Sequence, residues 1–216
     1  MEISTQIGIL LNSSVLSIQL FFLTLLFSLP LGLVIAIGRM SKYKIISIPV
    51  KIYQVIMRGT PLLLQLIFVY YIMNSILKDY GIIIQRFPAA VIAFVLNYAA
   101  YFSEIYRGGI ESMPQGQYEA AKTLGYTRSQ TFVRIIFPQV IKRILPPMCN
   151  EFMTLVKDTS LAQVIAVSEI FYNANSIAST TYTFTPIFIA GVIYLLMNFI
   201  VQRCFDFAEK KLNYYR

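Results

Sequence analysis

Two apolar stretches of the chain carry polar and ionisable side chains that recur at helical spacing. They are Asn97, Tyr101 and Glu104 in the first stretch and Glu151, Thr154 and Asp158 in the second. Separations of three, four and seven residues place the members of each set on one face of a helix. An ionisable side chain in lipid is unfavourable unless it faces protein or water. The two stripes therefore predict a shared wet cavity, with these residues as candidate ligands of a substrate.

The predicted cavity is acidic on balance. The carboxylates of Glu104, Glu151 and Asp158 stand against the single ammonium group of Lys157 in the two stretches. A partly desolvated acidic cavity favours a cationic ligand, because the positive charge of the ligand offsets the carboxylates. The pattern thus predicts a site for a small, positively charged molecule.

Each carboxylate also has a purely structural interpretation. Glu104 can pair with Arg107, which lies one helical turn further on. Glu151 can pair with Arg143 or with the polar segment 114–138, and Asp158 can belong to a local cluster that caps backbone groups. The sequence leaves these alternatives open beside the ligand-binding interpretation.

A third apolar stretch is interrupted by Arg58, Gly59, Thr60 and Pro61. Proline has no amide hydrogen and glycine loosens the backbone, so the helix is predicted to break or bend here. Freed backbone groups beside an arginine suit a carboxylate, as in the broken helices of transporters. Arg58 and Thr60 therefore join the candidate ligands. The alternative is that Arg58 is an interfacial residue at the cytoplasmic start of the span.

The elements that carry these residues are predicted to be membrane spans. The chain has 216 residues, of which 57% are hydrophobic and 13% are charged, whereas soluble domains carry about a quarter charged residues. A span needs about 20 apolar residues. We expect an all-α integral membrane protein with one domain, residues 1–216, and five spans at about 14–37, 52–77, 87–106, 144–167 and 185–205.

The residue types exclude several kinds of chemistry. The chain has no histidine, and Cys149 and Cys204 lack the spacing of metal ligands, which favours two buried thiols. It contains no GxxxxGK[ST] sequence for nucleotide binding. No catalytic residue, metal site or cofactor is predicted in this chain. Since no basic stripe is interleaved with aromatics, a nucleic-acid partner is not predicted either.

The distribution of basic residues predicts the orientation in the bilayer. Most of the 18 Lys and Arg residues follow the first span, surround the segment between the third and fourth spans, or lie near the C-terminus. The segments on the opposite side contain only Lys78 and Arg86. By the positive-inside rule, the N-terminus is outside and the C-terminus is cytoplasmic. The net charge of +8 then follows from the topology.

The segment 114–138 is the most polar stretch of the chain, and we call it the coupling segment. Its initial proline can open a helix, residues 119–121 continue it, and Gly125 is placed to end it in a left-handed cap. Thr127 and Gln130 have the spacing of a capping box for a second short helix. The sequence therefore predicts a helix–glycine–helix element displayed on the cytoplasmic side.

The coupling segment resembles the EAA signature of permease subunits of ABC importers. The resemblance rests on the ordered pattern Glu119, Ala120, Ala121, Gly125, Ile135, Phe137 and Pro138. Phe137 stands where the family usually has leucine. In that family the segment docks into a groove of the ATP-hydrolysing subunit. The resemblance implies a coupling role for Glu119, Ala120, Ala121, Gly125 and Pro138.

Four blocks together resemble the polar amino acid branch of these permeases, the histidine/arginine/glutamine type. The blocks are RGTPLLLQL, NYAAYFSEIYRGGI, SMPQGQYEAAKTLG and KDTSL. The resemblance implies a type I ABC importer-like fold in a prokaryotic cell membrane. It also implies a second permease subunit, identical or closely related, two ATPase subunits that bind ATP and Mg, and an extracytoplasmic amino-acid-binding protein. The chain itself is then not an enzyme.

The cargo is predicted from the acidic stripes together with the resemblance. A basic amino acid (arginine, lysine or histidine) is the prediction, and glutamine or another polar amino acid is the alternative. Two other classes remain as rivals. A secondary transporter or channel would use Glu104 and Asp158 as ion sites without an ATPase. A membrane scaffold protein would not need either carboxylate.

Overall fold

The regular structure of the chain is helical throughout residues 2–212, the range that the computed structural model describes. Residues 1 and 213–216, the ends of the predicted domain 1–216, lie outside the described residues. The α-helices are α1 (Ile3–Arg39), α2 (Lys44–Gly59), α3 (Leu62–Ile67), α4 (Met73–Leu77), α5 (Arg86–Glu111), α6 (Gln115–Thr123), α7 (Arg128–Thr131), α8 (Phe137–Asp158), α9 (Ile170–Thr181) and α10 (Thr185–Leu212). The predicted all-α class is confirmed.

Four helical stretches of the described chain are long and apolar enough to cross a membrane. They are Ile3–Arg39, Leu62–Tyr80, Arg86–Glu111 and Thr185–Leu212. The predicted spans 14–37, 87–106 and 185–205 each lie within one of these stretches. The predicted span 144–167 covers residues 144–158 of α8 and the 3-10 helix Thr159–Ile165 that follows it. Because α8 carries several charged residues, it is not one of the four, and its membrane crossing stays a prediction.

The predicted span 52–77 is divided in the structure. Helix α2 ends at Gly59, Thr60 is extended with φ −117° and ψ 146°, and α3 begins only after Pro61. A proline at this point cannot donate the amide hydrogen that a continuous helix would need. The apolar stretch therefore starts at Leu62, and the break predicted at this block is present. A π-helical turn at Phe68–Ile72 then joins α3 to α4.

Helix α5 is the central element of the fold and packs against α1, α2, α3 and α8. Its contact with α1 is close because Gly32 faces the α5 backbone, where an added Cβ would lie 3.1 Å from the Ala99 oxygen. Phe94 and Phe102 of α5 are fully buried in the main core cluster. The central helix therefore holds the polar residues of the first predicted stripe in fixed positions.

The crossing of α5 and α8 depends on the absence of a side chain at Gly109. A Cβ there would overlap Cγ2 of Ile144 and lie 3.3 Å from Cγ1 of Val140. Gly109→Ala is therefore expected to destabilise the protein by about 1–3 kcal/mol, the usual range for overpacking. The check is a lower thermal unfolding midpoint in detergent. Gly108→Ala is the matched control, since a Cβ at Gly108 meets nothing within 4 Å. Equal midpoints for the two variants would contradict the packing argument.

The segment between the last two predicted spans forms helix α9, which is tied to its neighbours by Glu169. The Glu169 carboxylate is fully buried and accepts hydrogen bonds from the amides of Phe171 and Tyr172 at 2.8 and 2.7 Å. It also accepts a 2.7 Å hydrogen bond from the hydroxyl of Tyr194 in α10. These bonds satisfy the first amides of α9 and fix its position against α10.

Candidate functional site

A cavity of about 480 Å³ opens beside the break between α2 and α3. Seven of the eight residues predicted as substrate ligands line it: Arg58, Thr60, Asn97, Tyr101, Glu151, Thr154 and Asp158. The remaining lining residues are Gly59, Pro61, Leu62, Tyr98 and Leu161. The structure thus brings together the two polar stripes and the helix break, which lie far apart in the sequence. Glu104 is the exception and does not line this cavity.

Asn97 holds the helix break in place. Its amide nitrogen donates to the carbonyl oxygen of Met57 at 2.9 Å and to Oε1 of Gln65 at 3.0 Å. The Gln65 amide in turn donates to the Met57 carbonyl at 3.0 Å and to the Thr60 hydroxyl at 2.8 Å. A helix break leaves backbone carbonyls without partners, and these two amides supply donors. Asn97 therefore helps to shape the cavity. Its amide hydrogens are used in these bonds within the protein and are not offered to a ligand.

Asp158 is anchored by Tyr98, a residue that the sequence reasoning missed. The Tyr98 hydroxyl donates to Oδ2 of Asp158 at 2.7 Å, and its side chain is only 2% exposed. Tyr98 lies one position away from the stripe of the first stretch, so helical spacing does not place it on that face. A tyrosine in an apolar helix was a usable signal, because a buried tyrosine hydroxyl usually finds a partner.

Glu151 and Thr154 occupy the α8 wall of the cavity. The Thr154 hydroxyl donates to the carbonyl oxygen of Asn150 one turn earlier at 2.9 Å. Arg143, the alternative partner of Glu151, instead donates to the carbonyl oxygen of Ser112 at 2.7 Å. The partly buried Glu151 carboxylate thus faces the cavity rather than Arg143.

Arg58 faces the cavity from the end of α2. Its guanidinium carbon lies 5.5 Å from the centre of the Tyr101 ring, within the range of a cation–π contact. Its Nη1 lies 3.8 Å from Oε1 of Glu104. Glu104 itself is paired with Arg107, one turn further along α5, as the structural alternative predicted. Glu104, held in this pair, does not line the cavity.

The charge of the cavity lining remains acidic. It contains the carboxylates of Glu151 and Asp158 and the guanidinium group of Arg58. Lys157 is exposed and does not line the cavity, as expected for a residue about 100° around the helix from its neighbour Asp158. The arrangement therefore offers two anionic groups and one cationic group to a bound molecule.

The coupling segment folds as a helix–glycine–helix element. Helix α6 ends at Thr123, and Gly125 follows two residues later with a φ of +80°, in the left-handed region. The Gly125 amide donates to the Lys122 carbonyl and the Tyr126 amide to the Ala121 carbonyl, both at 3.0 Å. This pair of bonds is the Schellman motif that closes many helices. Thr127 follows as the N-cap of α7 and forms the predicted reciprocal capping box with its partner three residues on.

The second helix of the coupling segment is not short, in contrast to the prediction. Helix α7 continues through a π-helical turn, Phe132–Ile136, directly into α8. Pro138 does not end this helix, because it stands in the first turn of α8, where an amide hydrogen is dispensable. The same continuous helical run therefore contains part of the coupling segment and the α8 wall of the cavity.

The outer surface of the coupling segment is open to a partner. Glu119 and Ala120 are exposed, whereas Ala121 is 1% exposed and packs inward. Leu124 is 75% exposed beside Gly125. A surface cavity of about 630 Å³ is lined by Gln115, Tyr118, Glu119, Lys122, Tyr126, Thr127, Arg128, Thr131 and Phe132.

Apolar helices, a polar cavity at a broken helix and a displayed helix–glycine–helix segment together define a membrane transport subunit. Residues 28–214 match the family of binding-protein-dependent transport system inner membrane components, and the chain belongs to that family. Its members are multi-pass permease subunits of the inner membrane that work with a separate ATPase and a substrate-binding protein. These permease subunits are not themselves enzymes. The predicted class, a permease subunit of an ABC importer, and its non-enzymatic role are therefore confirmed.

Relatives of the chain are amino acid permeases with different cargoes. The L-cystine transport system permease protein TcyB of Bacillus subtilis (strain 168) is 38% identical over 201 residues, which cover 92% of this chain and 84% of the relative. The arginine transport system permease protein ArtQ of the same organism is 34% identical over 209 residues, covering 96% and 94%. A solved structure described as an amino acid ABC transporter with histidines is 34% identical, with a TM-score of 0.85 and 94% of each chain covered. The type I importer permease fold is therefore confirmed.

Proposed function

We propose that the chain is the permease subunit of an ATP-driven importer of a basic amino acid: arginine, lysine or histidine. The observation that carries the cargo is the lining of the cavity, two carboxylates against one guanidinium group. Arginine and lysine bring two positive groups and one carboxylate, which match this lining in number and sign. A neutral zwitterion would leave one partly buried carboxylate uncompensated, which is unfavourable. The likeness to an arginine permease supports the same cargo.

The charges assign a role to each side of the cavity. The α-carboxylate of the substrate would bind at the helix break, to the guanidinium group of Arg58 and the hydroxyl of Thr60. Its positive groups would lie between Glu151 and Asp158, and its aliphatic stem would lie against Tyr101. Asn97 and Thr154 would act mainly by fixing the shape of the two walls. Glu104 would act through Arg58 rather than on the substrate.

The partners follow from the coupling segment and the topology. The N-terminus would be outside, and the coupling segment and C-terminus cytoplasmic, in agreement with the positive-inside rule. Two ATPase subunits, with ATP and Mg bound to them, would dock on the coupling segments of two permease subunits, either two copies of this chain or this chain and a close relative. An extracytoplasmic amino-acid-binding protein would deliver the substrate. Glu119, Ala120, Ala121, Gly125 and Pro138 form or support the coupling surface.

Stimulation of ATP hydrolysis by different amino acids tests the proposed cargo. The permease would be reconstituted in lipid with its ATPase and binding protein, and each amino acid would be added in turn. We expect arginine, lysine or histidine to stimulate hydrolysis and glutamate to have no effect. The control is the same complex without the binding protein. Stimulation by glutamine or cystine alone would contradict the basic cargo and retain the importer.

Glutamine or another polar amino acid is the alternative cargo within the same class. It is favoured by the likeness to a cystine permease at 38% identity. In this case Arg58 would still hold the α-carboxylate, but only one cavity carboxylate would pair with the α-ammonium group. The family excludes both rivals considered from the sequence, the secondary transporter or channel and the membrane scaffold protein. A secondary transporter would keep transport activity after deletion of residues 117–134. The ATP-driven importer would lose transport entirely after this deletion.

A further inference from the structure

Four charged side chains form a chain of ion pairs from the cavity towards the coupling segment. Arg58 approaches Glu104 from the end of α2, Glu104 pairs with Arg107, and Arg107 pairs with Glu111 near the end of α5. The last three lie on one face of α5, at positions i, i+3 and i+7. Only Arg58 among these four residues lines the cavity. These ion pairs therefore connect a candidate substrate ligand to three residues that do not line the cavity.

The contacts of Glu104 with its two arginines are unequal. Arg107 donates from Nε to Oε2 of Glu104 at 3.1 Å, and its Nη2 donates to Oε1. This forked arrangement uses both carboxylate oxygens and is the strongest geometry for such a pair. Arg58 Nη1 lies 3.8 Å from Oε1, which is beyond hydrogen-bond distance. Glu104 thus attracts Arg58 electrostatically but accepts no hydrogen bond from its guanidinium group.

Arg107 is itself held in place from the other side. Its Nη1 donates to Oε2 of Glu111, four residues further along the same helix. Arg107 therefore lies between two carboxylates of its own helix, with its side chain 25% exposed. Since both partners are on α5, this pairing does not depend on how α2 and α5 are arranged. Arg107 can hold Glu104 whether or not Arg58 has a ligand.

We propose that Arg107 is a positioning residue that keeps Arg58 available for the carboxylate of the substrate. The forked pair with Arg107 holds the Glu104 carboxylate where its Oε1 stays 3.8 Å from Nη1 of Arg58, beyond hydrogen-bond distance. Without Arg107, Glu104 would turn to Arg58, the other arginine that pairs with it in the described residues 2–212, and would take up the donors of Arg58. The internal carboxylate would then compete with the substrate carboxylate. This inference rests on the proposed function, in which Arg58 binds the substrate.

The test is a pair of variants measured in the reconstituted complex with ATPase and binding protein. Arg107→Gln is expected to raise the arginine concentration for half-maximal stimulation of ATP hydrolysis roughly tenfold. The double variant Arg107→Gln with Glu104→Gln is expected to return it to within about threefold of the original protein, because the competing carboxylate is gone. Arg203→Gln, which removes an arginine stacked on Phe199 of α10, is the control. A double variant as impaired as Arg107→Gln would overturn the proposal, since removing the competing carboxylate would then restore nothing.

A second measurement does not depend on the cargo. Phenylglyoxal modifies accessible guanidinium groups, and mass spectrometry can follow its attachment to Arg58. We expect Arg58 to react more slowly in Arg107→Gln than in the original protein and to recover in the double variant. If glutamine replaces arginine as the stimulating amino acid, the cargo assignment fails while this pattern remains. If Arg58 reacts equally in all three proteins, the positioning role fails whatever the cargo. Arg107→Lys, which keeps the charge without the fork, is expected to fall between.

Discussion

Gly125→Val is expected to abolish stimulation of ATP hydrolysis by the substrate while leaving the membrane helices folded. The left-handed conformation of Gly125, with φ +80°, closes α6 and sets the direction of α7. A side chain in this region costs about 1–3 kcal/mol, and a β-branched one is least tolerated. Because a Cβ here meets nothing within 4 Å, the strain is confined to the backbone. The segment would relieve it by changing the angle between its two helices, and the surface offered to the ATPase would be lost.

The measurements are stimulated ATP hydrolysis and co-elution of the ATPase with the permease. Gly81→Val is the matched control, because Gly81 has a φ of +74° and equally open surroundings but lies outside the coupling segment. Gly116→Ala is a second control within α6, where alanine favours the helix. Both controls are expected to keep full stimulation. Full stimulation in Gly125→Val would show that the segment does not couple the two subunits.

Asp158→Asn is expected to raise the half-maximal concentration of arginine by roughly 10–100-fold, which corresponds to the loss of a charge-assisted hydrogen bond worth about 1.5–3 kcal/mol. The asparagine carbonyl can still accept the hydrogen bond of Tyr98, which measures 2.7 Å in the structure. The geometry of the wall is thus retained while one negative charge of the cavity is removed. A cationic substrate with two positive groups would lose one of its two partners, whereas the single positive group of a zwitterion can still pair with Glu151.

Asp158→Asn is therefore expected to affect the stimulation of ATP hydrolysis by arginine and by glutamine differently. Stimulation by arginine should require a higher concentration, and any response to glutamine should be unchanged or stronger. Lys157→Gln is the matched control, because Lys157 is the neighbouring residue but is exposed and outside the cavity lining. An arginine response that stays unaltered in Asp158→Asn would remove Asp158 from the candidate site. Equal losses in Asp158→Asn and Lys157→Gln would indicate a general disturbance of α8.

The helical spacing of polar residues predicted much of the cavity wall. Asn97 with Tyr101 and Glu151 with Asp158 lie within single helices, so their relative orientation follows from helix geometry alone. The break at Pro61 was likewise predictable, because a proline acts on its own helix. The Schellman closure at Gly125 also depends only on residues within a few positions. The helix faces, the helix break and the closure of α6 were therefore predictable, because each depends on residues that are close in the sequence.

Choices between competing partners were not predictable. From the sequence, Glu104 could either pair with Arg107 on its own helix or face the cavity as part of the polar stripe. Only the packed structure shows that it forms the forked pair with Arg107. The role of Tyr98 required knowing that α5 and α8 bring its hydroxyl to Asp158, 60 residues away. The continuation of α7 into α8 does not follow from the sequence, because the capping box marks only where α7 begins and a π-helical turn joins the two helices. These features depend on three-dimensional neighbours or on π-helical turns, which sequence spacing does not determine.

The continuous helical run from the coupling segment into α8 has a mechanical consequence. Helix α8 spans 22 residues, which is about 33 Å at 1.5 Å per residue. Treated as a lever pivoted at one end, a rod of this length moves its far end by roughly 6 Å for a tilt of about 10°. Pro146 and Pro147 lie between the two ends and remove amide hydrogens from the rod, which provides a flexure near its middle. If α8 moved as a rigid rod, a rotation of about 10° at the coupling segment would displace Asp158 by roughly 6 Å and Glu151 by roughly 4 Å, and bending at the two prolines would reduce both displacements.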